Sequence, residues 1–479
     1  MKKKSDSGIT LPDYSTPKAR DYVVVELKHD SGVTYSKRCF EGPNEVQTQL
    51  EELNTVLEKA PVRHFGSQFD VSRTLARRRA TEAPRSLATA VSSDFASSGF
   101  VQIVLKDPED GKLLVRRLNR IDSVWGAYLA PQPEPAAAAS GASTASRNFE
   151  PSQLYLHSPP DGIGAMEVWP QRGALGQRIR ICDIEGDWRL NHEDLPRGIN
   201  LIGGTRIGTL SWRNHGTAVL GEMISQPGIR GTTGVSYKAR ASVHSAVIGG
   251  VFNAAQAIRN ASRRLRAGDV ILIELHARHP RTNQYVAMQF WSDVFSAIRT
   301  ATAKGITVVE AAGNGGQNFQ RAVYRGSLLQ RDSGAIVVGA GVPPTNYFDE
   351  FGPDWGFPKH SRIGAPRSRI WFSNYGRIVN VQAYGWHVTT LGYGDAQGGT
   401  ERRWYTHRFS GTSSASPIVT GAVACLQGRA KAKNGRPMTP AQVRTLLIRT
   451  GTRQVPSRGA PVSQKIGPQP NLIRAMRRV

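Results

Sequence analysis

From residue 151 onward, short apolar runs alternate with amphipathic stretches, and this alternation limits the chain to very few architectures. "RIRICDI", "ASVHSAV", "DVILIEL", "TVVEAA" and "AIVVGA" have the length and β-branched content of buried strands, while "NAAQAIRNASRRLRA", "QFWSDVFSAIRTATAKG" and a run from about His215 have helical spacing. Such alternation predicts an α/β body, a parallel sheet covered by helices on both faces. Residues 1–130 have a different texture. "YVVVEL", "FVQIVL" and "VWGAYLA" read as strands and "EVQTQLEELNTVLEK" as a helix, which predicts a smaller N-terminal α/β domain. A basic stretch, "RTLARRRATEAPRSLATAVSSD", interrupts it. "PQPEPAAAASGASTAS" lies within residues 131–150 and replaces core formers with Pro, Ala, Ser and Gly, so that segment is read as a cleavable linker and 151–479 as the second domain.

The chain carries a formal charge of +25, and no acidic residue follows Glu401. Residues 429–479 alone hold twelve Lys or Arg, so about half of the excess sits in a terminal segment. Aromatics are not interleaved with these charges, and no zinc-finger or RNP-like pattern accompanies them, which argues against nucleic acid as the main partner. Three cysteines give no disulfide framework. With no apolar leader after "MKKK", a cytoplasmic location or leaderless secretion is expected. No run reaches membrane-spanning length.

Chemistry concentrates where the strand patterns end. Serine is a weak nucleophile and needs a base within hydrogen-bond reach, itself held by a third group. Asp183 follows the strand pattern "IRIC", His215 stands in "NHGTAVLGEMI", and Asn314 follows "VVEAA" between glycines that let backbone approach a ligand. Ser413 stands in "GTSSASP" at the start of a helical stretch, where free N–H groups favour a developing oxyanion. The small residues around it leave room for substrate, and Pro417 is placed in the first helical turn. Cys182 reads as a buried small hydrophobe, and the remaining histidines lack zinc-ligand spacing.

The four blocks "CDIEGDWRLNHEDL", "NHGTAVLGEM", "AAGNGG" and "GTSSASP", in this order, resemble those of the subtilisin-like serine proteases. The resemblance implies the subtilisin-like fold and peptide hydrolysis through an acyl-enzyme, with Ser413 as nucleophile, His215 as base, Asp183 as orienting carboxylate and Asn314 as oxyanion donor. It also implies that Glu274, Leu275 and His276, in place of the family's Ser-Leu-Gly, line the substrate cleft together with Gly313. Glu274 would then favour a basic substrate side chain. Two departures stand out: Ile184 and Glu185 follow Asp183 where the family has Thr or Ser and then Gly, and the stretch to His192 is long. No cofactor or metal is expected, although Asp194 occupies a place that some members use for calcium. The partners expected are a protein or peptide substrate and the chain's own N-terminal domain, a propeptide that would inhibit the cleft. An acyl transferase and an idle basic binding protein are the competing classes.

Overall fold

The computed structural model describes residues 22–27, 34–36, 39–41, 62–67, 100–105, 108–121, 123–132, 146–344 and 363–479, with five helical positions between 48 and 55. Most of the expected first helix, the basic stretch 73–94 and residues 133–145 of the linker lie outside them.

The N-terminal body is an antiparallel sheet of four strands, β1 (Tyr22–Leu27), β2 (Val62–Ser67), β3 (Phe100–Leu105) and β4 (Val124–Leu129), in the order β2-β3-β1-β4, with helix α1 (Pro108–Leu118). Period-two alternation divides β1 between two cores. Val23, Val25 and Leu27 pack with Leu114 and Leu118 of α1. Tyr22 and Val24 turn the other way, into apolar side chains of the larger body.

That larger body is built on seven parallel strands: β5 (Arg180–Glu185), β6 (Asn200–Gly203), β7 (Arg240–Ser245), β8 (Val270–Ile273), β9 (Thr307–Ala311), β10 (Ile336–Gly341) and β11 (Val379–Tyr384). Their order is β11-β10-β9-β8-β5-β7-β6. The central strands are apolar on both faces because helices cover both. On β5, Ile181 packs into one core and Cys182 and Ile184 into the other, and every residue of β8 is fully buried. Helices α2 (Leu210–Ile224) and α5 (Thr412–Asn434) lie against each other on one side, while α3 (Ala254–Arg264) and α4 (Ser292–Ala303) pack together on the other. Helix α6 (Pro440–Thr450) follows, opened by a Thr439–Gln442 capping box.

Two sequence expectations shift by a turn of helix. Helix α2 begins at Leu210, so His215 is its sixth residue rather than its opening one. Pro417 is likewise the sixth residue of α5, beyond the first turn, and its ring removes the N–H that would bond the Ser413 carbonyl. Hydroxyls hold this turn together. Ser416 Oγ donates to the Thr412 carbonyl at 2.7 Å, and Ser414 Oγ to that of Gly411 at 3.0 Å.

The N-terminal sheet docks at α3 and α4 through two phenols. Tyr22 donates to the Phe252 carbonyl at 2.5 Å, just before α3, and Tyr128 donates to Asp293 Oδ1 at 2.7 Å, in the first turn of α4. Burial, followed by the Asp293 charge, pushes the Tyr128 phenol well above its ordinary range, so it stays a donor. A hydrogen bond to a carboxylate contributes about 1.5–3 kcal/mol. Tyr128→Phe in Ser413→Ala protein is therefore expected to speed amide exchange in β1 and β4 by roughly 10- to 150-fold, the ratio that this energy supplies at about 1.4 kcal/mol per factor of ten. Exchange in α5 should not change.

Candidate active site

The carboxylate that reaches His215 is Glu185, and this replaces Asp183 in the expected arrangement. Glu185 Oε2 lies 2.6 Å from His215 Nδ1, with the two side chains 0% and 1% exposed. Residues 183 and 185 share one face of β5, but Glu185 ends the strand, whereas Asp183 sits about 6.6 Å deeper at two strand rises. At that depth Asp183 Oδ2 accepts from Trp188 Nε1 at 2.7 Å. Burial, with the neighbouring Glu185 charge, raises the Asp183 carboxyl well above the carboxylate range. The sequence held the signal. Counting from Glu185 shortens the stretch to His192 by two residues and places Gly186 directly after the acid, which weakens both departures noted above.

The loop after β5 explains the glycine beside the imidazole. A Cβ on Gly216 would meet the Asp187 carbonyl at 2.3 Å and the Trp188 ring at 2.6 Å, so Gly216 admits this loop rather than the imidazole itself. Asp187 belongs to the loop's own framework, accepting from Trp188 N, Gly208 N and Arg206. The ring of His215 meets Phe409 edge-on at 5.4 Å, four residues before Ser413. Its Nε2 is buried without a hydrogen bond.

Ser413 is the second residue of α5 and is 3% exposed. Asn314 is fixed by its carbonyl end, since Oδ1 accepts from Thr412 N at 2.8 Å and Thr412 Oγ1 at 2.9 Å. This turns Nδ2 toward Gly411, where a Cβ would come within 2.9 Å of it. Gly411 has φ 109°, a region open to glycine, so the position is closed to other residues twice over. Gly313, also at positive φ, donates its N–H to Thr412 Oγ1 at 3.1 Å.

The expected cleft residues are arranged differently. Leu275 is fully buried in the core. Glu274 is 2% exposed and its Oε1 lies 2.6 Å from Ser416 Oγ, so its carboxyl faces α5 and offers no charge to a substrate side chain. His276 pairs with Ala287 in a two-stranded hairpin and stacks on Tyr285 at 4.1 Å. Burial, helped by the charges of His215 and Arg278, lowers its pKa to about 3, which leaves it neutral. Asp194 is committed to a turn, accepting from Thr232 N at 2.7 Å and Thr232 Oγ1 at 3.0 Å. Among the described residues no group of three or more His, Cys, Asp or Glu could hold a metal ion.

Glu222 on α2 was not singled out in the sequence. It is fully buried, neither oxygen has a hydrogen-bond partner, and burial together with the Glu274 charge raises its carboxyl well above the usual range. The folded chain therefore keeps this proton at a pH where the unfolded chain, with an ordinary Glu pKa of about 4.3, loses it. Stability contributed by the neutral acid is complete below that value and declines as pH rises toward the folded pKa. Glu222→Gln is expected to raise the melting temperature at about pH 8 and to give a smaller gain at about pH 5. An equal change at both, followed by calorimetry, would assign the effect to packing.

The Subtilase family profile, Peptidase_S8, matches residues 198–467, more than half of the chain. An extracellular serine proteinase of Thermus sp. is 33% identical over 161 residues, 33% of this chain and 30% of that protein. An extracellular protease of Xanthomonas campestris is 33% identical over 156 residues, 32% of this chain and 21% of its own length. The chain thus spans less than a third of either relative. Both names place those proteins outside the cell, and this overturns the expectation of a cytoplasmic location. Fervidolysin from Fervidobacterium pennivorans, a keratinolytic enzyme related to subtilisin, has the same fold, with a TM-score of 0.53 at 17% identity over 96% of this chain and 61% of that one. The parallel sheet, the order of the blocks and the profile match agree: the chain belongs to the subtilase family of serine endopeptidases.

Proposed function

We propose that this protein is an extracellular serine endopeptidase working through a Glu185–His215–Ser413 triad. The 2.6 Å contact between Glu185 and His215 is the observation that carries this reading. Glu185 holds the proton on Nδ1, which leaves Nε2 to take the proton of Ser413 Oγ as that oxygen attacks the peptide carbonyl. The tetrahedral oxyanion is met by Asn314 Nδ2 and by the free N–H groups at the start of α5. His215 then returns its proton to the leaving amine, and water repeats the sequence on the acyl-enzyme. Glu185 stabilises the imidazolium without taking its proton.

Burial of Glu274 favours a role beneath the nucleophile over one in substrate selection. The Ser416 hydroxyl beside it partly offsets the rise that burial causes. The N-terminal domain is read as a propeptide that assists folding and then inhibits. Its support is the docking of the four-stranded sheet at α3 and α4, with β4 ending at Leu129 immediately before the linker.

Glu185→Gln is expected to lower kcat by about 10⁴-fold, the loss seen when a triad carboxylate becomes an amide. Asp183→Asn should cost less than about tenfold, since its carboxyl is already neutral and meets only an indole. The reverse ranking would return the role to Asp183. Asn314→Ala should reduce turnover by about 10²- to 10³-fold with folding intact. Intact-mass analysis of wild-type and Ser413→Ala protein tests the propeptide: cleavage between about 128 and 155 in the wild type alone, with inhibition by added N-terminal domain, is the expected result.

A further inference from the structure

The end of the sheet opposite Ser413 holds a cavity of about 470 Å³ with Ile179 at its base. Five cationic side chains line it, Arg178, Arg180, Arg240, Arg266 and Lys431, against the single carboxylate of Asp269. They come from four separate segments. Arg180 and Arg240 face each other as the first paired residues of β5 and β7, Arg178 lies in the turn before β5, Arg266 in the turn before β8, and Lys431 near the end of α5. From Ser413 to Lys431 the helix rises about 27 Å, so this cavity is remote from the catalytic groups.

Asp269 cannot neutralise the set. It is 2% exposed and accepts from Arg180 Nε at 2.8 Å, Arg180 Nη2 at 2.5 Å, Arg180 N at 3.1 Å and Arg266 N at 2.8 Å. Those bonds orient Arg180 and fix the turn before β8. Lys431 Nζ lies 3.8 Å from the same carboxylate and donates to the Arg178 carbonyl at 3.3 Å. Among the described residues, Arg178, Arg240 and Arg266 form no ion pair, and all three are exposed. Burial lowers the Lys431 pKa; the Asp269 charge opposes this shift and the Arg180 and Arg178 charges add to it. Arg178 is also held at φ 66°, a conformation uncommon outside glycine.

We propose that this cavity is a binding site for a compact polyphosphate anion. Its volume lies within the range of about 300–1,000 Å³ found for small-ligand sites, large enough for a short phosphate chain. Five cations against one carboxylate favour a multiply charged anion, and the planar forks of Arg178, Arg240 and Arg266, none of them in an ion pair among the described residues, can each present two parallel donors to a phosphate group. Part of the +25 excess would thereby have a defined ligand. The site is independent of the catalytic assignment.

Isothermal titration of tripolyphosphate into full-length Ser413→Ala protein, in buffer of matched ionic strength, tests this. One-to-one binding is expected, with a rise in melting temperature and with sulfate binding at least tenfold more weakly. Arg240→Ala/Arg266→Ala should weaken tripolyphosphate binding at least tenfold while keeping the circular dichroism spectrum and, in the active enzyme, peptide hydrolysis within twofold. Arg321→Ala/Arg325→Ala, which removes two exposed charges elsewhere, should leave the affinity unchanged. Equal losses in both double variants, or sulfate binding as well as tripolyphosphate, would overturn the site and leave only a general charge effect. Undetectable binding to the parent protein would overturn it as well.

Discussion

The hydrogen bond between Glu185 and His215 is the contact around which the rest of the site is arranged. It joins the carboxyl end of a central strand to the middle of α2, in a place closed to water by Trp212, Trp188 and Phe409. An imidazole buried without such a partner has no fixed tautomer and no stabilisation for the cation it must become. The parallel sheet supplies the rigidity this needs. Both faces of β5 are packed, so the strand cannot shift by a residue without moving Ile181, Cys182 and Ile184 out of their cores.

Carboxylates gather behind this pair. Asp183, Glu222 and Glu274 are all buried, and burial raises each of them before any neighbouring charge is counted. Neutral acids are less costly to bury than charged ones, so a raised pKa lets these carboxyls stay buried without three negative charges. The substrate-facing role expected for Glu274 fails on the same physics. A carboxyl enclosed by Ser416 and the core cannot offer a solvated charge to a lysine or arginine.

Much of the architecture was legible because its causes are local. Unbroken apolar runs identify strands covered on both faces, and β1 announces its two cores by strict alternation. Ser413, His215 and Asn314, the residues proposed as nucleophile, base and oxyanion donor, drew notice because each sits near glycines, and two of these glycines, Gly216 and Gly411, have direct structural reasons for lacking a side chain. The choice between Asp183 and Glu185 was harder. Period two places both on one face, and only depth along the strand separates them, a property fixed by where His215 arrives from another element. Its helix begins five residues before His215, at Leu210, after Thr209, whose side chain makes no capping hydrogen bond. The basic cavity was illegible for a different reason: its cations come from four segments distant in sequence, of which only those of Arg180 and Arg240 meet through strand pairing.

The central claim is that Glu185, and no other carboxylate, holds the Nδ1 proton of His215. Proton NMR of Ser413→Ala protein labelled with ¹⁵N-histidine reads that proton directly, because a short bond to a carboxylate moves its resonance far downfield of other imidazole N–H signals. A downfield signal correlated to His215 Nδ1 should persist in Asp183→Asn and vanish or move sharply upfield in Glu185→Gln. Its loss in Asp183→Asn with persistence in Glu185→Gln would contradict the account.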